Sequence, residues 1–260
     1  MLDVLLFVVA GAGVGFAIGV TGVGGGSLMT PLLLLFGFPL HVAIGTDLLY
    51  ASLTKAGGMA AHARQGTVDW RLVGRLAAGS VPASLVTVWA LHRFFGAPEA
   101  YAPVLTTALG VMLILTAASI LLRDRLLALA PARSPLRSRV DAHAPRITVL
   151  MGGLLGICVT LSSVGAGAFG AAVLMVLFPA LRAVRIVGTD IAHAVPLTLI
   201  AGLGHLALGN VDFTLLGALL LGSVPAIWAG SRVADQLPDR VMRPVLAALL
   251  AGLGVRFALF

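Results

Sequence analysis

The chain has 260 residues, of which 59% are hydrophobic and 10% charged, with a formal net charge of +7. A soluble domain carries about 25% charged residues. A chain this apolar, with mean hydropathy +1.07, could not cover itself in water, and it reads as an all-α polytopic membrane protein. The surplus of arginine does not indicate nucleic acid, because the basic residues fall in short loops between apolar runs, as the positive-inside rule expects.

Residues 4–20 form the first apolar segment. No basic n-region precedes it, so it is expected to stay in the mature protein. Gly11, Gly15 and Gly19 fall at four-residue spacing, which places small residues on one helix face for close packing in lipid. Next comes Thr21-Gly22-Val23-Gly24-Gly25-Gly26-Ser27. Each glycine in a helix interior is about 1 kcal/mol worse than alanine, so this stretch is expected to break the helix and expose backbone. Residues 28–36, with Pro31 near their start, are short of the roughly 30 Å hydrocarbon core at about 1.5 Å per residue. They form a half-helix or span with help from their flanks, so residues 4–36 either cross fully or make a re-entrant hairpin. Segments 41–63, 70–91 and 102–122 are each long enough to cross.

Residues 123–146 carry six arginines with Pro131, Pro135 and Pro145, and form a basic linker. The apolar pattern then restarts at 147–162, 165–178, 184–206, 212–231 and 241–258. The expected organisation is a first transmembrane repeat over 1–122, the linker over 123–146 and a second transmembrane repeat over 147–260. The one cysteine, Cys158, excludes an intramolecular disulfide and a multi-cysteine metal site. In its apolar run it reads as a small hydrophobe.

The restart is an internal repeat at an offset of 143 residues. Gly45-Thr46-Asp47 returns as Gly188-Thr189-Asp190, and Gly79-Ser80-Val81-Pro82-Ala83 as Gly222-Ser223-Val224-Pro225-Ala226. Gly22, His62, Gly66 and Val68-Asp69 return as Gly165, His205, Gly209 and Val211-Asp212. The glycine stretch itself returns as Val164-Gly165-Ala166-Gly167-Ala168-Phe169-Gly170. Five hydrophobic segments per half is an odd number, so the second half is expected to be inverted relative to the first. Arginine placement agrees. With the central linker in the cytoplasm, that side also receives Arg64, Arg71, Arg75, Arg182, Arg185, Arg232, Arg240 and Arg243, and the other side only Arg93 and Arg256. Both termini then lie outside, and the glycine-rich helix breaks sit near the midplane.

All sixteen arginines fall in loops or near segment ends, whereas the sole lysine, Lys55, and two of the ten acids, Asp47 and Asp190, fall inside spans. A charge there is unfavourable by about 3 kcal/mol or more, and such residues usually face the bundle and serve function. The plain alternative is a buried ion pair that locks two helices. Inversion would put the carboxylates on opposite sides of the midplane, roughly 9 Å from each surface at 1.5 Å per residue. Lys55 would lie between them, with Thr198 as its repeat mate. A central cation flanked by protonatable acids suits an anion moved with protons. His193, three residues past Asp190, shares its helix face and is either a proton-step partner or a packed core histidine. Ser27, Thr21, Ser162 and Ser163 add hydroxyl donors at the breaks, and a half-helix N-terminus near Ser27 would face an anion with its positive end. The expected substrate-binding set is therefore Thr21, Gly22, Val23, Gly24, Gly25, Gly26, Ser27, Thr46, Lys55, Ser162, Ser163, Gly165, Gly167 and Thr189. The expected proton-coupling set is Asp47, Asp190 and His193. His62 and His205, at helix ends, read as interfacial, and Pro82 and Pro225 as helix kinks.

With its glycine stretch followed by Pro31, its two Gly-Thr-Asp elements and its basic central linker, the chain resembles the sulfite exporter TauE/SafE family over nearly its full length. The resemblance implies a bacterial inner-membrane transporter of small sulfur-containing or organic anions such as sulfite or sulfoacetate. The expected activity is secondary transport by alternating access, not catalysis. Partners would be the anion, protons as coupling ion and membrane lipid. No nucleic acid, cofactor or metal is expected, and a homodimer stays open. The alternative classes are an intramembrane enzyme, for which only Asp190 and His193 have suggestive spacing, and an accessory subunit of a membrane complex.

Overall fold

In a computed structural model, which describes residues 2–21, 26–122, 125, 135–233 and 239–259, the chain is helical, with no strand among the described residues. The first half runs α1 (Leu2–Thr21), α2 (Gly26–Leu35), α3 (Leu40–Arg64), α4 (Trp70–Ala90, continued by a π-turn over Leu91–Phe95) and α5 (Pro98–Leu121). The second runs α6 (Pro135–Ser162), α7 (Ala168–Leu177), α8 (Ala183–Ala207), α9 (Phe213–Val233) and α10 (Asp239–Leu259).

Local signals account for most of these ends. Asp69 caps α4 by accepting from the amides of Arg71 and Leu72 at 3.1 and 3.2 Å. Its repeat mate Asp212 accepts from the Leu215 amide at 2.9 Å. Soon after α3 and α8 end, Gly66 and Gly209 take φ of 65° and 79°, a conformation that glycine adopts without a Cβ clash. One boundary differs from the sequence expectation: α6 begins at Pro135, so the last part of the 123–146 stretch is helix. Proline is well suited to the first helical position, where its missing N–H would have had no partner.

Residues 70–95, 98–121, 143–162, 183–207 and 213–233 are long and apolar enough to cross a bilayer, and residues 4–20, 168–177 and 244–258 are shorter apolar helices. The 25-residue α3 falls outside both sets. It carries Asp47 and Lys55, and it is buried continuously from Ala43 to Ser52. Over that stretch the bundle shields it from lipid, so it needs less apolar surface there.

The halves interleave. α1 lies along α9, α4 along α6, α5 along α10, and α3 crosses α8. At that last crossing Ser52 Oγ donates to the Val195 carbonyl at 3.2 Å, and the two residues are repeat mates. Glycines permit the closest approaches. Gly11 and Gly15 lie on the backbone of Leu219 and Ser223, while Gly152 and Gly156 lie on that of Leu76 and Ser80. The partners are 143 apart but the glycines are 141 apart. The second half therefore holds two more residues than the first between its first and third helices, in the region of the break.

Candidate functional site

The site forms where α3 and α8 meet the second break. The segment between α6 and α7 leaves helical geometry at Ser163 (φ 58°), Gly165 (φ 122°) and Gly167 (φ 149°). Ser162 anchors the turn: its Oγ donates to the Cys158 carbonyl at 2.7 Å and accepts from the Val164 amide at 3.1 Å. Lys55, half-buried on α3, reaches across and donates to the Ala166 carbonyl at 2.6 Å. An unwound backbone carbonyl thus fixes the lysine, and the ammonium lies within electrostatic reach of both Asp47 and Asp190.

The two carboxylates have different surroundings. Asp47 has no exposed surface. Its Oδ2 accepts from Thr30 Oγ1 on α2 at 2.5 Å, and Ser163 from the second break adjoins it. Asp47 Oδ1 and Ser163 Oγ are both buried, and the Ser163 hydroxyl lies against the carboxylate without reaching the geometry of a formed hydrogen bond. Asp190, 3% exposed, presses against Gly170 in the first turn of α7, where a Cβ would collide with its Oδ1. The carboxylate therefore sits at the positive end of a half-helix.

One turn past each acid stands a polar residue that ties its helix to the opposite half. Tyr50 donates to Ser223 Oγ at 2.8 Å, and Ser223 in turn donates to the Leu219 carbonyl at 2.6 Å. Its mate His193, fully buried, shares a hydrogen bond of 2.8 Å between Nε2 and Ser80 Oγ, while its Nδ1 is buried without a partner. Tyr50, Ser80 and Ser223 were not picked out from sequence, although the repeat offset pairs each with its counterpart. Thr30 carried no such signal, since its mate is Val173.

Of the expected site residues, Asp47, Lys55, Asp190, Ser163 and Gly165 come together with Ala166. Ser162 supports the break from behind, and Gly167 caps α7. Ser27 is buried near the start of α2. Thr21 and Gly26 end the helices flanking the first break, and Gly22, Val23, Gly24 and Gly25 lie outside the described residues. The hydroxyls of Thr46 and Thr189 are engaged elsewhere: each accepts a backbone amide from the other half, from Asp212 at 3.1 Å and Asp69 at 3.0 Å. His205 differs from its interfacial expectation. It is fully buried, donating from Nε2 to the Thr160 carbonyl (2.9 Å) and accepting at Nδ1 from Asn210 (3.2 Å). Burial under α6 satisfies both ring nitrogens, and water is not needed. Among the described residues no three His, Cys, Asp or Glu side chains group as metal ligands.

Buried charges meeting at a helix break inside a bundle of apolar helices define a multi-pass membrane protein with an internal polar site. Residues 7–257 match the family described as sulfite exporter TauE/SafE, and the chain belongs to that family. It is similar to the probable membrane transporter protein YjnA of Bacillus subtilis (strain 168), with 38% identity over 96% of this chain and 97% of that protein. It is also similar to the probable membrane transporter protein YdhB of the same organism, with 28% identity over 91% and 95%. No solved structure matches it.

Proposed function

We propose that this membrane transporter is a secondary carrier of a small sulfur-containing or organic anion, sulfite-like or sulfoacetate-like, coupled to protons. The observation that carries this reading is Lys55. It is the chain's one lysine, it is held at a helix break, and it lies within electrostatic reach of two buried carboxylates from equivalent positions of the two halves. An anion would be drawn to the ammonium and to the backbone amides at the start of α7. Two ionised carboxylates beside it would repel the anion, so its arrival favours their protonation, which links anion and proton movement. His193, buried one turn past Asp190, adds a group able to take or give a proton at that end.

The repeat, the arginine distribution and the reciprocal packing of α1 on α9 and α4 on α6 support inverted halves that rock about α3 and α8. In this reading the basic linker is cytoplasmic and the membrane is the bacterial inner membrane. The test is sulfite flux in proteoliposomes with and without a pH gradient. Asp47→Asn and Asp190→Asn are expected to uncouple flux from the gradient. If both variants keep full flux and full coupling, the carboxylates have no part in proton coupling.

A further inference from the structure

The surroundings of Asp47 lead to a second ligand. We propose that Asp47, Thr30 and Ser163 form a sodium-ion site at the end of α6. Hard monovalent and divalent cations take oxygen ligands, and in broken-helix transporters such ions sit at unwound carbonyls and half-helix C-terminal ends. Three separate elements supply that chemistry here. Asp47 brings a carboxylate from α3, Thr30 a hydroxyl from α2, and Ser163 a hydroxyl from the residue that follows α6. Thr30 spends its proton on Asp47 Oδ2, which leaves its oxygen lone pairs available.

Two buried oxygens, Asp47 Oδ1 and Ser163 Oγ, adjoin each other without the geometry of a formed hydrogen bond. They belong to adjoining side chains that are 0% and 4% exposed. Leaving such groups unpaired is unfavourable by about 1–3 kcal/mol each, and one cation bound to both would satisfy them. Ser163 is also the non-glycine residue with positive φ among those described. That strained conformation brings its hydroxyl to the carboxylate.

Charge balance points the same way. With all three ionised, Asp47, Asp190 and Lys55 would carry one net negative charge, which one sodium ion would cancel. The repeat supplies an internal control. Asp190 has Val173 where Asp47 has Thr30, and it packs on the bare backbone of Gly170. The proposed site therefore belongs to Asp47 alone. Its role in coupling rests on the transporter reading, but the binding itself does not.

The experiment is thermal unfolding of the purified full-length protein in detergent, in sodium chloride against choline chloride at equal ionic strength and without organic or sulfur anions. Sodium is expected to raise Tm saturably. Asp47→Asn should abolish the response and Asp190→Asn should retain it. Thr30→Val, which replaces the hydroxyl by a methyl, and Ser163→Gly, which removes the hydroxymethyl group and suits the positive φ there, keep the charge and should each need roughly tenfold more sodium than wild type, read against each variant's own Tm in choline. If Asp47→Asn does not fold, these two variants decide. Equal Tm in the two salts for wild type, or a wild-type response in both hydroxyl variants, overturns the site. Gradient-driven anion flux without a sodium response removes only this site. A sodium response without sulfite flux removes the proposed proton-coupled sulfite-like carrier and keeps the site.

Discussion

Thr46 Oγ1 accepts the backbone amide proton of Asp212 at 3.1 Å, and its repeat mate Thr189 accepts that of Asp69 at 3.0 Å. Beside them Gly45 lies on the Asn210 carbonyl and Gly188 on the Thr67 carbonyl. Each Gly-Thr-Asp element thus clamps the loop that leads into α4 or α9 of the other half, with the following aspartate turned to the centre. Thr46→Val and Thr189→Val keep the shape and strand a buried amide. Each is expected to lower stability by about 1–2 kcal/mol, additively in the double variant, because the clamps share no partner. Chemical denaturation of the detergent-solubilised protein measures this. Strong non-additivity would show that the clamps act as one unit.

The glycines of the two Gly-Ser-Val-Pro motifs set how near the outer helices approach. A Cβ at Gly79 would strike the Val149 carbonyl, and one at Gly222 the Val8 carbonyl. Gly79→Ala and Gly222→Ala should therefore reduce the yield of monodisperse protein severely. Gly217→Ala, where a Cβ meets nothing within 4 Å, should be neutral or slightly stabilising. Size-exclusion profiles compare the three.

Tyr50 and His193 make equivalent contacts with chemically different groups. Tyr50→Phe removes the bond to Ser223 and is expected to lower stability by about 0.6–1.7 kcal/mol. Gradient-driven flux should persist in Tyr50→Phe, since the tyrosine has no proposed part in proton transfer. His193→Gln, which can still bond Ser80, should fold but weaken the dependence of flux on pH. Flux measured at several pH values separates the two variants. Equal pH profiles for wild type and His193→Gln would remove the histidine from the coupling path.

Much of this architecture was legible before any coordinates. Lys55, Asp47 and Asp190 stood out because charge is rare in apolar segments, and the 143-residue offset announced two related halves. Other features depend on tertiary proximity that no spacing encodes. Thr30 reaches Asp47 only because α2 folds back beside α3, and Ser163 does so only because the second break turns it inward. Thr46 and Thr189 looked like site residues since they neighbour the acids, yet adjacent positions on a helix point about 100° apart. Their hydroxyls face the opposite half. His205 lies near a helix end, where polar residues are commonly wet, but α6 covers it and supplies its acceptor. The two-residue difference between the halves escaped notice because the strongest motif matches lie beyond it.

If the ammonium of Lys55 binds the transported anion, its removal should abolish transport. The decisive measurement is uptake of radiolabelled sulfite into proteoliposomes under an imposed pH gradient, comparing wild type with a monodisperse Lys55→Met variant of matched reconstitution. Wild type should accumulate sulfite down the imposed gradient, and the variant should lose at least tenfold of that uptake. Undiminished accumulation by Lys55→Met would show that the anion binds elsewhere.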